Sequence, residues 1–490
     1  MAAPANKREK QYSPLSAHKR YRKNLIPPFL QIPNLELTSW TNFRLPEMLW
    51  AALIISHNER DTALIHFRNV VDCLTDFSDN DQPQDLTLTA LSKIQPHILE
   101  GIVGALCSDD DVNLSLSPLT LFPNLPGGNI WIENLYEQLS STKWDLLRAA
   151  IVKCYDHQSQ ESTDCRWLRL LFQTVRGKMH FAPHLQHNMD EYLDYPYYGD
   201  MRKVRPSIRA AEGVLDKLYG TGIETNIWIK QFWQTCLINS PCEKLVLSME
   251  QKRTCNSINI NKIDEIILQL KEHCNKNRLD SAINPRFDTI FGISLYLLQI
   301  FREIVKNQMQ NTILGRTALR SIVECFITLR YLCKNDNPDL WLAYRNYGSG
   351  QVKLALLKFD EIGECPNFVN QSTLKLNINY DRGEEFLPIN LGNWEQTSLR
   401  DMSEKSGTKK EYDLYYTITS GFVHGMWEAI NEATFEYCGN PLHRFHRIPI
   451  TGCPQLNDVI PDATILINKI LEDVDKQYPQ FPYRLRSGPE

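Results

Sequence analysis

Two segments in the C-terminal half of the sequence carry polar side chains at helical spacing within apolar surroundings. Arginine and glutamate recur every four positions in Arg316–Tyr347, and tyrosine, serine and histidine do so in Glu411–Ile430. Because side chains four positions apart are neighbours on a helix, each segment predicts one polar helical face. If the two faces pack together, they form a polar pocket inside an apolar helical bundle.

The residue types in this predicted pocket suit the cleavage of RNA without a metal ion. A histidine can serve as general acid or base, and an arginine can stabilise the charge on the phosphate group. We expect His424 to exchange the proton and Arg316 or Arg320 to hold the phosphate. The full candidate catalytic set is Arg316, Arg320, Glu324, Tyr412, Tyr416 and His424.

The same side chains also suit a purely structural network. An arginine on a largely apolar helix is seldom buried without a partner, and Arg320 and Glu324 have the spacing of a helical ion pair. The tyrosines of the second segment would then cover the arginines, and His424 would be an ordinary core histidine. The sequence leaves these two interpretations open.

A long buried helix must carry the first segment, because its apolar residues recur with a helical period and form a wide stripe. These residues are Leu319, Ile322, Val323, Phe326, Ile327, Leu329 and Leu332. The second segment predicts a helix over Tyr412–Ile430 that Gly421 and Gly425 end or kink. His424 would then lie near a helix C-terminus, where a cationic imidazole is favoured.

The region Asn284–Ile430 resembles a bacterial family of uncharacterised all-helical domains. Its members carry an R-(S/T)-x-x-R/E sequence followed by L-R-Y-L, and later a Y-x-x-x-Y-x-x-x-S-x-x-x-H helix. The matching residues here are Arg316, Thr317, Glu324, Leu329, Arg330, Tyr331, Leu332, Tyr412, Tyr416, Ser420 and His424. Some members lie in phage-defence loci, and their helical layout is similar to that of the HEPN ribonucleases. The resemblance implies a HEPN-like helical bundle in a bacterial defence or toxin-like effector.

HEPN ribonucleases carry an arginine four to six residues before a histidine, and the region that resembles the family lacks such a pair. The spacing occurs instead at Arg60 and His66 in the N-terminal half. There it indicates either a nuclease motif or a surface arginine at a helix start, followed by a partly buried histidine.

A histidine-rich stretch raises the question of a transition metal. On a regular helix, His180, His184, His187 and Glu191 would share one face, and imidazoles with a carboxylate suit zinc or iron. Pro183 argues against a regular helix across this stretch. We therefore predict no bound metal and no cofactor, and a metal-dependent activity at His180, His184 and His187 stays a weaker alternative.

Composition places the chain among ordinary globular proteins. It has 490 residues, of which 42% are hydrophobic and 23% charged. No apolar run reaches the roughly 18 residues of a membrane helix, and the start lacks the apolar stretch of a secretory signal. The 13 cysteines are scattered without a C-x-x-C pair. Free thiols in a cytoplasmic protein without membrane contact are therefore expected.

The order of predicted elements indicates an all-α protein with three parts. Residues 1–26 form a basic flexible arm, with seven Lys or Arg and one acid within residues 1–24. Residues 27–242 form a multi-helix N-terminal domain, and residues 243–490 form a C-terminal helical domain that carries the resemblance. Within the latter, Gly348 and Gly350 predict a turn between helices. Nucleotide-binding and hydrolase motifs are absent, so any active site must be built on helices.

Two functions are consistent with these features. In the first, the chain is a defence or toxin-like effector that cleaves RNA through the polar pocket. In the second, it is a non-enzymatic helical binding or scaffold protein for a partner protein or ligand in a defence complex. The net charge of −5 argues against a nucleic-acid platform over the whole surface, although the basic arm could contact phosphates.

Overall fold

The structure is a computed structural model that describes residues 13–31, 39–179, 186–219, 227–245, 258–279, 284–381, 386–452, 454 and 456–486. Its regular elements are α-helices, short 3-10 and π turns, and two antiparallel two-stranded sheets. The predicted all-α class is confirmed. Within the described ranges, no helix has both the length and the apolar character that crossing a membrane requires.

The chain divides into two compact units. The first comprises residues 1–245 together with the segment Cys438–His446, and the second comprises residues 246–437 and 447–490. The sequence-based division assigned all of residues 243–490 to one domain, whereas Cys438–His446 belongs to the first unit. The chain on both sides of this segment belongs to the second unit.

Helices make up most of the first unit. In chain order they are α1 (Leu45–Glu47), α2 (Leu49–His57), α3 (Arg60–Thr75), α4 (Leu88–Leu91), α5 (Pro96–Cys107), α6 (Asp110–Leu116), α7 (Gly128–Asn134), α8 (Ser140–Tyr155), α9 (Gln160–Val175), α10 (His187–Leu193), α11 (Met201–Tyr219) and α12 (Ile227–Asn239). Short turns precede or join them at Leu15–Ala17, Pro28–Gln31, Trp40–Arg44, Ser117–Leu121 and Pro441–His443.

Helix α9 is largely buried within the first unit. Ser159 caps it, because its hydroxyl accepts a hydrogen bond of 3.1 Å from the backbone N–H of Ser162. Residues 162–174 are buried without interruption, and helices α2, α3, α8, α10 and α11 pack against this helix. Charged side chains on such a helix need partners inside the protein.

Two arginines of α9 find these partners in a buried ion network. Arg169 donates through Nε to both oxygens of Asp85 at 3.1 Å and also donates to Glu212. The Glu212 carboxylate lies 2.6 Å from Arg44 and 3.6 Å from Arg166. Burial lowers the pKa of Arg166 to about 10, and the charge of Glu212 opposes this change. Each buried charge therefore depends on the others.

Helices also build the second unit. They are α13 (Ile260–Lys276), α14 (Pro285–Lys306), α15 (Ile313–Asn335), α16 (Pro338–Ile362), α17 (Gln371–Asp381), α18 (Leu399–Ser406), α19 (Lys409–Glu411), α20 (Thr417–His424), α21 (Trp427–Thr434) and α22 (Ile460–Gln477). A π turn, Tyr412–Tyr416, joins α19 to α20. Helices α14, α15 and α22 pack against one another around the main core of this unit.

The two sheets are small hairpin-like pairs. Strands β1 (Lys19–Tyr21) and β2 (Asn24–Ile26) are antiparallel, with Lys19 opposite Ile26. This part of the predicted flexible arm is therefore a hairpin, and residues 1–12 lie outside the described residues. Strands β3 (Phe435–Tyr437) and β4 (Arg447–Pro449) pair at the two ends of the Cys438–His446 segment.

The turn predicted at Gly348 and Gly350 is wrong, because α16 continues through both residues. Gly350 is buried, and a Cβ atom on it would lie 2.8 Å from the carbonyl oxygen of Pro388. This glycine therefore permits a close approach between backbones rather than a change of direction.

Candidate functional site

The predicted polar residues lie on α15 and on the segment that runs from the π turn into α20. Thr312 caps α15 by accepting a 3.3 Å hydrogen bond from the backbone N–H of Gly315. The apolar stripe predicted for this helix is confirmed as buried. The π turn and α20 pack directly on α15, which brings the second polar segment against the helix that carries Arg316, Arg320 and Glu324.

Arg320 is the central contact between these two segments, and only 5% of it is exposed. Its Nη2 forms an ion pair of 2.8 Å with Glu324, and its guanidinium carbon lies 3.4 Å from the ring centre of Tyr416. Among the described residues, its Nη1 has no hydrogen-bond acceptor. The face of the Tyr416 ring provides the favourable electrostatic contact for this cation.

Tyr412 extends the contact by one ring. The rings of Tyr412 and Tyr416 stack with centres 4.4 Å apart and planes inclined by 19°. Lys409 lies 5.4 Å from the centre of the Tyr412 ring and also pairs with Asp413. Burial raises the pKa of Tyr412, and Tyr416 raises it further. The Tyr412 phenol is therefore neutral at physiological pH, as suits a stacking residue.

Arg316 has different partners from this stack. Its guanidinium carbon lies 6.0 Å from the ring centre of Phe422. Burial lowers the pKa of Arg316, whereas the carboxylates of Glu432, Asp462 and Asp458 act in the opposite direction. Because these carboxylates already act on the Arg316 cation, the potential there is less favourable for a further anion such as phosphate.

His424 is the last residue of α20, and it is exposed. Gly425 follows it in the left-handed conformation, with φ of 60°, and so ends the helix where the sequence predicted an end or a kink. No hydrogen bond, ion pair or ring contact joins His424 to the part of the chain that the structure describes. The stacked and paired residues are thus Arg320, Glu324, Tyr412 and Tyr416, and the catalytic roles stay predictions.

The arginine and histidine of the possible nuclease motif serve separate acidic partners. Arg60 begins α3 and forms a two-pronged ion pair with Asp164 at 2.8 and 2.9 Å. The hydroxyl of Tyr195 donates to the same carboxylate at 2.7 Å. His66 instead lies 3.4 Å from Asp109. Both side chains therefore have structural partners within the first unit.

The histidine-rich stretch is described only in part. His180 and His184 lie outside the described residues, and His187 is an exposed residue at the start of α10. The weak metal-binding alternative for this stretch therefore stays untested.

A different group of metal-ligand residues was missed by the sequence analysis. The sulfur atoms of Cys242 and Cys438 and a ring nitrogen from each of His443 and His446 all lie within 4.8 Å of one another. A sequence signal existed, since Cys438, His443 and His446 form a C-x-x-x-x-H-x-x-H pattern. The search for paired C-x-x-C ligands overlooked it, and nothing in the sequence links it to Cys242.

Comparison with known proteins places the polar residues within a domain of unknown function. Residues 290–438 match the model of a family described only as a family of unknown function, DUF5677. This match confirms the resemblance to an uncharacterised family, and it covers α15, the π turn and α20. No curated protein matches the chain. No solved structure matches it either.

Proposed function

We propose that the chain is a non-enzymatic helical binding protein whose second unit receives a partner protein. The observation that carries this proposal is that four of the six candidate catalytic side chains, Arg320, Glu324, Tyr412 and Tyr416, contact one another. Arg320 is buried between Glu324 and Tyr416 and is only 5% exposed, so a phosphate in solvent has little access to its guanidinium group. These contacting side chains therefore stabilise the second unit, and the binding surface for a partner lies elsewhere on that unit.

The π turn, α20 and the start of α21 also present large apolar side chains to solvent. Their exposed fractions range from 40% to 65%, and they are Leu414, Ile418, Val423, Met426, Trp427 and Ile430. We call these six residues the apolar set. Large exposed apolar side chains that fall within one short segment are typical of protein interaction sites, and His424 lies among them.

The charges beside the apolar set indicate the chemistry of the partner. Glu428 and Glu436 are exposed, and the whole chain has a net charge of −5. A partner surface with apolar side chains flanked by Lys or Arg would complement this region. The family resemblance favours a partner from a bacterial defence system, because some members of that family lie in defence loci.

Site-specific photo-crosslinking in cells of the organism that encodes this protein tests the proposal. A photoreactive amino acid replaces Ile418, and the matched control carries it at Ile65, an isoleucine of the first unit with a similar exposed fraction (65% and 58%). We expect a discrete crosslinked protein band from position 418, since a real interface holds one partner in a fixed position. A second substitution, Trp427→Glu, should remove this band by placing a charge at the interface.

Mass spectrometry of the adduct from position 418 should identify the partner protein and show that its crosslinked site lies in a region rich in Lys or Arg. Equal labelling from positions 65 and 418 would show only random contact and would contradict the proposal. So would a band that survives Trp427→Glu in a protein with unchanged thermal stability.

Cleavage of RNA is the second candidate function, and the exposure of His424 favours it. An imidazole without a described partner is free to exchange a proton with a substrate. The HEPN-like layout implied by the resemblance adds weight to this alternative, in which Arg316 or Arg320 would hold the phosphate. RNA breakdown would then depend on His424, whereas a binding protein leaves RNA intact.

A further inference from the structure

We infer that Cys242, Cys438, His443 and His446 form a structural zinc site in the first unit. Two thiolates and two imidazoles are a ligand set that zinc prefers in closed, four-coordinate sites. All four residues belong to the first unit, although Cys242 is about two hundred positions away from the other three in the sequence. This inference is independent of the proposed binding function.

The distances between the ligand atoms fit a tetrahedron. With zinc–sulfur bonds near 2.3 Å and zinc–nitrogen bonds near 2.0 Å, neighbouring ligand atoms lie about 3.5 Å apart. The Sγ of Cys242 lies 3.7 Å from Nδ1 of His443 and 3.6 Å from Nδ1 of His446. The Sγ of Cys438 lies 3.2 Å from Nδ1 of His443. One ion at their centre would reach all four atoms.

The groups behind His443 orient its ring for metal binding. Its Nε2 lies 3.1 Å from the backbone carbonyl oxygen of Ser240 and 2.9 Å from the hydroxyl of the same residue. A carbonyl oxygen can accept a hydrogen bond but cannot donate one, so Nε2 must carry the proton of the ring. The lone pair of Nδ1 then faces the two sulfur atoms. Such a hydrogen bond behind a ligand histidine is usual in zinc sites.

Backbone hydrogen bonds also position the second cysteine, Cys438. The N–H of Glu243 donates to Sγ of Cys438 at 3.4 Å and so helps to fix the position of this sulfur atom. The backbone N–H of Gly439 donates to the carbonyl of Glu243 at 2.7 Å. A Cβ atom on Gly439 would lie 3.0 Å from the carbonyl oxygen of Lys244, so glycine allows the two segments to approach.

Asn440 joins the two segments that carry the four ligand residues. Its side-chain amide donates to the carbonyl of Pro241 at 2.8 Å, and its side-chain oxygen caps the turn Pro441–His443 through the N–H of Leu442 at 3.0 Å. Leu442 is itself part of the core of the first unit. Zinc would thus fix the Cys438–His446 segment onto the end of α12, in addition to these hydrogen bonds and to the contact of Arg444 with the Trp233 ring at 4.9 Å.

The four protein ligands fill every position of a tetrahedral ion, so the site has no open position for a substrate. Binding replaces the thiol protons of Cys242 and Cys438, which pass to solvent. The exposed side of the site is at Cys242, whereas Cys438 and His443 are buried. Zinc can therefore enter without unfolding of the unit.

Metal analysis of the full-length protein tests this inference. The chain is purified under reducing conditions with a tag that contains no histidine, and its zinc is measured by mass spectrometry of the elements. We expect about one zinc ion per chain. Cobalt in place of zinc should give the visible absorption of a tetrahedral complex and a thiolate charge-transfer band.

Two cysteine variants make the measurement specific. Cys242→Ser changes an exposed ligand, which should leave the fold intact but remove most of the zinc. Cys365→Ser is the matched control, because Cys365 is a half-buried free thiol in the second unit. Removal of zinc with a chelator should lower the melting temperature of the wild type by about 5 °C or more, and it should have no such effect on Cys242→Ser.

Three results would overturn the inference. The first is wild-type protein that holds neither zinc nor tetrahedral cobalt after growth and titration with these metals. The second is equal zinc content in Cys242→Ser and Cys365→Ser. The third is a disulfide between Cys242 and Cys438 that persists under the reducing conditions of the purification, as detected by alkylation and peptide mass.

Discussion

The substitution Arg169→Met is expected to destabilise the first unit by about 3–5 kcal/mol, because it removes the cation that pairs with buried Asp85 and one of the three arginines around buried Glu212. The Arg169 side chain is 1% exposed, and those of its partners Asp85 and Glu212 are 5% and 0% exposed. Methionine fills much of the same volume, so the loss reflects charge more than a cavity. Calorimetry should show a melting temperature roughly 10 °C lower.

A matched control separates burial from charge removal. Arg202→Met also removes an arginine that pairs with an aspartate, Asp200, at 2.9 Å, but the Arg202 side chain is 90% exposed. Exposed pairs contribute little, so this variant should melt close to the wild type. If Arg169→Met cost no more than Arg202→Met, the buried network would not have the structural role assigned to it.

The substitution Arg320→Ala should cost the second unit about 3 kcal/mol, because it removes a desolvated cation–ring contact and one side of an ion pair. Glu324→Gln should cost less than 1 kcal/mol, since the side chain of Glu324 is 45% exposed. Hydrogen exchange measured by mass spectrometry should show the loss in peptides of α15 and of the π turn.

Arg400 provides the control within the same unit. It forms an i, i+4 pair with Glu404 at 3.4 Å, and the two side chains are 64% and 48% exposed. Arg400→Ala therefore removes an ion pair with the same sequence spacing but without burial, and its effect should be within about 0.5 kcal/mol. Wild-type exchange in the α15 peptides of Arg320→Ala would refute a stabilising role for the stack.

The sequence predicted the helix that carries the polar residues because its signal is local. The period of the apolar residues from Leu319 to Leu332 corresponds to the buried face of α15, and the spacing of Arg320 and Glu324 corresponds to an observed ion pair. Periodicity and helical spacing depend on residues a few positions apart, so a single sequence contains them in full.

The sequence could not predict contacts that depend on distant segments. Gly350 resembles a turn residue, and only the approach of Pro388 explains why it lies inside a helix. The helix expected over Tyr412–Ile430 begins as a π turn, and a second helix starts at Trp427 after the predicted end near Gly425. As a result, His424 ends one helix in an exposed position rather than joining the buried stack.

The cysteine and histidine cluster shows the same limit most clearly. Three of its residues form a compact pattern, but the fourth, Cys242, lies in what the sequence analysis took as the end of another domain. The count of cysteines predicted scattered free thiols and no cluster, because spacing alone cannot show that a segment returns to an earlier part of the chain.

The central claim, that the Arg320 stack stabilises the unit and does not cleave RNA, is tested most directly by RNA integrity. Wild type and His424→Ala are expressed in bacteria, both are checked for folding, and growth and total RNA are followed with and without phage challenge. We predict intact RNA with both proteins. RNA breakdown by the wild type that is lost in folded His424→Ala would contradict the claim and would establish a nuclease site at His424.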